Sequence, residues 1–321
     1  MNTPKLWKVL NLADTAPCPD AFDSLKSIAE VVSLPARQDV LLDNIADYDV
    51  YFAALYVRMD EEVLERATKL RVICTNTTGL DHIAVDEAEK RGITVLSIKN
   101  DIEFLNNVTA TAEMTWALLL AVVRRLPRSF AAACRGHWAR DEFRGHQISG
   151  MTLGVLGYGR LGRMTAEYGN AFRMRVLACD RKDVEPAPGV EIVDFPTLLR
   201  ESDVLSIHIH LTPENRGFIN CEALNQMKPS AIILNTSRGA IIDEAALLES
   251  LESGRLGGAG LDVIDGEWSD DLASHPLIRY ANTHENLVIS PHTGGITYES
   301  QNMSFIHTVA KLKAFLEKLE P

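Results

Sequence analysis

Arg238 follows the apolar run 232–234 and the polar triplet Asn235-Thr236-Ser237. Asp262 closes a glycine-rich apolar stretch, with Glu267 shortly after it in the chain. His292 sits in Ser290-Pro291-His292-Thr293-Gly294-Gly295. These positions read as ends of strands, where open α/β sheets place ligands. An arginine offers a planar fork of donors that matches carboxylate and carbonyl oxygens. A histidine changes charge near neutral pH, so it can give a carbonyl oxygen its proton or take one from a hydroxyl. A carboxylate at the second ring nitrogen orients the imidazole and favours its charged form. Together Arg238, Glu267 and His292 suit hydride transfer at the carbonyl of a keto acid. Singly, each also fits a plainer role: Arg238 as a turn cap before Gly239, Glu267 as a solvated loop acid, His292 as a hydrogen-bonded histidine in a Pro-Gly loop.

A second constellation is Gly157-Tyr158-Gly159-Arg160-Leu161-Gly162. An apolar run, 153–156, precedes it, and residues 163–172 read as a helix. The next apolar run, 175–179, ends at Asp180. In that context Gly157 makes a tight turn, Gly159 leaves room for a pyrophosphate, and Gly162 lets helix and sheet pack closely. The helix N-terminus offers free N–H groups to the phosphates. Asp180 stands where a carboxylate meets the adenosine ribose, which favours NAD(H) over NADP(H). The adjacent Arg181 is the one residue there that suits a 2'-phosphate.

The elements that must position these groups alternate along the chain. Strands are predicted at 8–12, 29–34, 50–55, 71–75 and 93–98, with helices at 20–27, 60–67 and 85–91 between them. After a long helix over 107–125, strands are predicted at 152–156, 175–179, 204–208, 231–235, 258–263 and 287–290. Such alternation predicts parallel sheets covered by helices. The stretch 185–189 reads as a surface loop, and 299–319 as a final helix with Phe305, Val309, Leu312 and Leu316 on one face. The length, 321 residues, suits two domains.

Composition narrows the partners. The formal net charge is -12, which disfavours nucleic-acid binding. No apolar run approaches the roughly 18 residues of a membrane span. The N-terminal stretch lacks the pattern of a secretory signal. Cys18, Cys74, Cys134, Cys179 and Cys221 lie far apart, which predicts reduced, buried thiols in a cytoplasmic protein, with no disulfide frame and no metal site.

From about Arg71 to Glu299 the sequence resembles the D-isomer-specific 2-hydroxyacid dehydrogenases. Four stretches carry the likeness: Gly154 to Arg163, Glu201 to Thr212, Met227 to Leu247, and Gly258 to Val263 with Ser290 to Thr293. The resemblance implies two doubly wound α/β domains. A Rossmann cofactor domain, residues 102–294, is inserted in a discontinuous flavodoxin-like substrate domain, residues 1–101 plus 295–321. It implies Arg238 as the substrate-binding arginine and His292 as acid/base paired with Glu267. The loop Asn76-Thr77-Thr78-Gly79 would hold the substrate carboxylate, with Asn107, opening the long helix, near it. NAD(H) would lie against Gly157, Tyr158, Gly159, Arg160, Leu161 and Gly162. It would also meet Asp180, Arg181, His208, Thr212, Thr236, Ser237, Arg238, Asp262, His292 and Gly294. A homodimer through the cofactor domain is implied.

This chain has His210 where the family often has proline, and Glu267-Trp268 where it often has Glu-Pro. Trp268 is expected as a buried aromatic rather than a group over the pocket mouth. Trp138 matches a family tryptophan that can approach the neighbouring subunit. The substrate loop lacks a basic residue, which disfavours a phosphorylated acid. Two other readings stay open. One is formate or phosphite oxidation, although formate-oxidising relatives usually carry Gln in place of Glu267. The other is an NAD-sensing corepressor of the same fold.

Overall fold

The computed structural model describes residues 7–319. The chain forms two compact units: one runs to Val108 and resumes at Ile296, the other is Thr109–Gly295.

The first unit begins β1 (Lys8–Asn11), α1 (Pro19–Ile28), β2 (Glu30–Ser33), α2 (Gln38–Asn44) and β3 (Val50–Phe52). It continues with α3 (Glu61–Arg66), β4 (Val72–Cys74), α4 (Val85–Lys90), β5 (Thr94–Leu96) and α5 (Ile102–Leu105). The strands make a parallel sheet in the order β2-β1-β3-β4-β5. β3 and β4 are buried at every residue, as parallel strands covered on both faces must be.

The second unit opens with α6 (Ala110–Val123) and α7 (Leu126–Cys134). There follow β6 (Thr152–Leu156), α8 (Arg160–Ala171), β7 (Arg175–Cys179), β8 (Val190–Ile192), α9 (Phe195–Glu201) and β9 (Val204–Ile207). It ends with α10 (Cys221–Gln226), β10 (Ile232–Asn235), α11 (Glu244–Glu252), β11 (Gly258–Leu261), α12 (Pro276–Ala281) and β12 (Leu287–Ile289). Its parallel sheet runs β12-β11-β10-β9-β6-β7-β8. Strand order reverses between β6 and β9, the switch point where doubly wound sheets bind ligands.

α13 (Tyr298–Leu316) returns to the first unit and packs on α1. Phe305, Val309, Leu312 and Leu316 close the core formed by Val9, Phe52, Val72 and Cys74. Side-chain caps start several helices: Asp60, Asp194, Asn220, Asp243 and Thr297 each accept a backbone N–H three residues on, which satisfies donors the first turn leaves free.

Two expectations of the fold change. The long helix expected over 107–125 is α6, which ends before Arg125 adopts the left-handed region, φ 51°; α7, beyond that range, was not expected. Asn107 does not open that helix; it lies in the turn before α6, its amide donating to the carbonyls of Glu103 and Phe104. Segment 102–108 stays with the first unit, and Gly295 with the second. The loop at 185–189 is exposed, as expected, and leads into β8, a short edge strand with mostly exposed residues that was not expected. Among the described residues no helix is long and apolar enough to cross a membrane, and no three potential metal ligands cluster.

Candidate active site

The turn after β6 is built for close approach. Gly157 has φ +93°, and a Cβ there would lie 2.7 Å from the His208 carbonyl oxygen. A Cβ on Gly162 would meet the Gly157 carbonyl oxygen at 2.0 Å. Gly159, the N-cap of α8, faces open space. Backbone, helix end and clearance therefore coincide where a pyrophosphate would lie, and the residues present fit a dinucleotide. At the end of β7, Asp180 is fixed by two backbone donors, Tyr158 N–H at 2.7 Å and Lys182 N–H at 2.9 Å. Arg160 and Leu161 open α8 and are partly exposed.

Tyr158 departs from expectation. Its side chain is buried, its hydroxyl accepts from Ala187 N–H, and its own N–H is committed to Asp180. It supports the turn from below. His208 has Nε2 2.8 Å from Ser206 Oγ, while its Nδ1 is buried without a hydrogen-bond partner. Burial pushes its pKa down to about 4, so the ring is neutral at pH 7. Thr212 caps the turn 213–215, which leaves its side chain serving that turn. Arg181 is exposed. It faces Glu214, whose carboxyl is held below its usual range by the Thr212 hydroxyl first and by Arg181 as a lesser influence.

The loop after β10 carries Arg238. Asn235, fully buried, binds the loop at both ends: its amide donates to the Arg238 carbonyl and its oxygen accepts from Ser237 N–H. Thr236 and Ser237, expected at the cofactor, spend their hydroxyls inward, on Thr115 and on the Ile207 carbonyl. They hold the loop. Arg238 is partly buried, and its guanidinium donates to the Ser237 carbonyl at 2.8 Å. Gly239 is pressed against the next loop: a Cβ there would lie 2.1 Å from the Ile264 carbonyl carbon.

His292 follows β12 in the left-handed region, φ 54°. A non-glycine residue there is strained and needs its surroundings to hold it. Asp262, 2% exposed, supplies the hold. Its Oδ1 accepts from Ser290 Oγ and Thr293 N–H, its Oδ2 from Gly294 N–H, and its carbonyl from His292 N–H. So Asp262, expected at the cofactor, spends both carboxylate oxygens on the histidine loop. Gly294 has no room for a side chain beside that carboxylate. In this geometry His292 Nδ1 lies 2.7 Å from Glu267 Oε1, with both side chains about five-sixths buried, at 16% and 17% exposure.

Trp268 is not buried. It is 52% exposed and stacks on His292, ring centroids 5.7 Å apart. A cavity of about 1090 Å³ lies against Glu267, Trp268 and His292, with Ile264, Leu272 and Ile278 on its apolar wall. Sequence reasoning missed Asn235 as a clamp, although Asn followed by Thr-Ser at a strand end is the signal of a side chain folding onto its own turn.

Asn76, Thr77, Thr78 and Gly79 form a loop after β4 in the first unit, all partly exposed. Thr77 braces it: its hydroxyl meets Thr75 Oγ1 at 2.8 Å and donates to the Gly79 carbonyl.

A glycine turn at the switch point of a parallel sheet, with a Glu–His pair and an arginine beyond neighbouring strands, defines the class of dinucleotide-dependent oxidoreductases. Comparison with known proteins narrows it. Residues 116–294 match the family described as D-isomer specific 2-hydroxyacid dehydrogenase, NAD binding domain. The glyoxylate reductase of Thermococcus litoralis is 37% identical over 272 residues, 82% of this chain and 78% of that protein. The hydroxypyruvate reductase of Thermotoga maritima is 34% identical over 287 residues, 89% of this chain and 91% of the relative. The D-lactate dehydrogenase of Aquifex aeolicus, solved with NAD and lactic acid, superposes with a TM-score of 0.85 at 28% identity, covering 97% of this chain and 95% of that one. The chain belongs to the NAD-dependent D-isomer specific 2-hydroxyacid dehydrogenases.

Proposed function

We propose that this enzyme reduces a short 2-keto acid, of the kind represented by glyoxylate and hydroxypyruvate, to the D-2-hydroxy acid, and runs the reverse oxidation through the same groups. The observation that carries the reading is the 2.7 Å contact between His292 and Glu267. The Gly157–Gly162 turn and Asp180 would hold the dinucleotide, which supplies or accepts the hydride at the substrate's second carbon. Arg238 binds carboxylate and carbonyl oxygens through its fork. In reduction His292 is charged and gives its Nε2 proton to the carbonyl oxygen, while Glu267 at Nδ1 stabilises the charge until transfer. In oxidation the neutral ring takes the hydroxyl proton. Asp262, Thr236, Ser237 and Gly294 shape the two loops that carry these groups.

The same reading prefers NADH to NADPH, because Asp180 is held in place by two N–H donors and repels a 2'-phosphate. It includes a homodimer through the second unit, where Phe130 and Trp138 are 64% and 81% exposed. It also includes a cytoplasmic location, argued from the scattered, odd-numbered cysteines; the expected burial of these thiols holds for Cys18 and Cys74 and not for Cys134 and Cys221, which are exposed.

The test is NADH oxidation across glyoxylate, hydroxypyruvate, pyruvate, branched and aromatic 2-keto acids. Turnover of the small acids is expected. Tight NADH binding with no turnover of any acid would replace the reading with a sensor.

A further inference from the structure

Glu267 stands on neither helix nor strand, so its position depends on what holds the loop after β11. That loop is gripped at Asp265. Glu244, in the first turn of α11, accepts the Asp265 N–H at 2.7 Å. His275, the N-cap of α12, has Nε2 3.2 Å from the Asp265 carbonyl and 3.3 Å from the other Glu244 oxygen. One Nε2 proton thus faces two acceptors, while Nδ1 is buried with no partner. Beyond the grip, Gly266 turns at φ +76° and accepts Ser269 N–H, which leads straight into Glu267 and Trp268. Gly239 backs the same peptide from the Arg238 side.

The Glu244 and His275 side chains are 17% and 15% exposed, matching Glu267 and His292. Burial raises the Glu244 carboxyl above its usual range. The charged groups facing Glu244 are His275 and Asp265, and Arg216 reaches Asp265 from outside. Those around His292 are Glu267 and Asp262, with Arg125, Arg128, His284 and Glu285 along the cavity. This second buried Glu–His pair takes no part in the proton transfer described above.

We propose that Glu244 and His275 are positioning residues of the catalytic pair: by gripping both sides of Asp265 they hold Glu267 against His292. The proposal rests on the reading of His292 as acid/base, and its first readout needs no substrate. NMR titration of the His292 ring in the full-length NADH complex, assigned with His292→Asn, is compared among wild type, His275→Ala and Glu244→Gln. Loosening Glu267 removes negative charge from the ring, so the midpoint falls below that of wild type. His275→Gln keeps a donor for the Asp265 carbonyl and restores it. With a substrate in hand, the alkaline limb of reduction moves the same way, kcat falls several-fold, and KM for NADH is unchanged. Adding His275→Ala to Glu267→Gln moves the limb no further.

An unmoved His292 titration with only a lower Tm makes the pair structural and overturns the proposal. A shifted titration without turnover of any 2-keto acid supports the proposal and defeats the proposed reaction instead. If His275→Ala does not fold, Glu244→Gln carries the same measurement. Unfolding of every variant, His275→Gln included, would assign the pair to the folding core and overturn the proposal.

Discussion

At the scale of single residues, the active-site groups are held by neighbours that do no chemistry. His292 keeps a strained backbone because Asp262 binds four groups of its loop. The consequence is a histidine, the proposed proton donor, whose Nδ1 is set 2.7 Å from Glu267 Oε1. Replacing Glu267 by glutamine keeps an acceptor at that nitrogen and removes the charge. The imidazolium then loses its proton at lower pH, since an adjacent anion favours the charged ring. Keto-acid reduction by Glu267→Gln should fall away at lower pH than in wild type on the alkaline side, with activity at acid pH better preserved. A kcat/KM profile superimposable on wild type would remove Glu267 from the proton-transfer site. Trp268 covers one face of the same ring. An aromatic face favours a cation beside it, so its exposure is consistent with a role at the ring rather than in the core.

At the scale of elements, β6 and β9 meet at the glycine turn with a neutral histidine between polar neighbours. His208 has a pKa of about 4 in the fold and about 6.5 in an unfolded chain. Above pH 6.5 neither state binds the proton. Between the two values only the unfolded chain does, so stability falls as pH drops through that window. The loss should reach about 1–3 kcal/mol by pH 4.5. Urea unfolding at pH 7 and pH 5, in wild type and His208→Gln, checks this: the variant should show a shallower acid loss. Equal slopes would assign the loss to other groups. Most elements around this turn were legible beforehand, because parallel strands buried on both faces are written as apolar runs, as in Ile232–Leu234. β8 was not, since an edge strand with Glu191 and Ile192 exposed carries no such run. The end of α6 near Arg125 was legible, but α7 beyond it was not expected, although Pro127 in its first turn is a helix-start signal. At the site, spacing singled out Arg238, Glu267 and His292 by residue types that suit the proposed chemistry, and folding brings Glu267 to His292. Asn235, Glu244 and His275 bond backbone groups of loops, and which loop a side chain reaches is decided only by folding. For the same reason the hydrogen bonds made inside the fold by the hydroxyls of Thr236, Ser237 and Tyr158 were not legible.

At the scale of the whole molecule, the two units have separate cores: Leu10, Tyr51, Phe52 and Phe305 belong to the first, Leu205, Ile233 and Leu153 to the second. The glycine turn and Asp180 both lie in the second. NADH should therefore stabilise that unit by about 2.7 kcal/mol at a hundredfold excess over Kd. Calorimetry with added dinucleotide should raise its Tm, and hydrogen exchange should slow at residues 157–162. NADPH should do less, and Asp180→Ser should narrow the difference. A larger shift with NADPH would give Arg181 control of the site. The discontinuity of the first unit also bears on biosynthesis. The second unit is continuous in sequence and can complete itself as soon as it leaves the ribosome. The first cannot: Val9, Phe52 and Val72 face a layer that exists only after α13 is made. At roughly 5–20 residues per second that delay is roughly 10–40 s. For that time α1 alone covers this face of the nascent N-terminal sheet, and the apolar surface left bare is of the kind a holdase chaperone recognises.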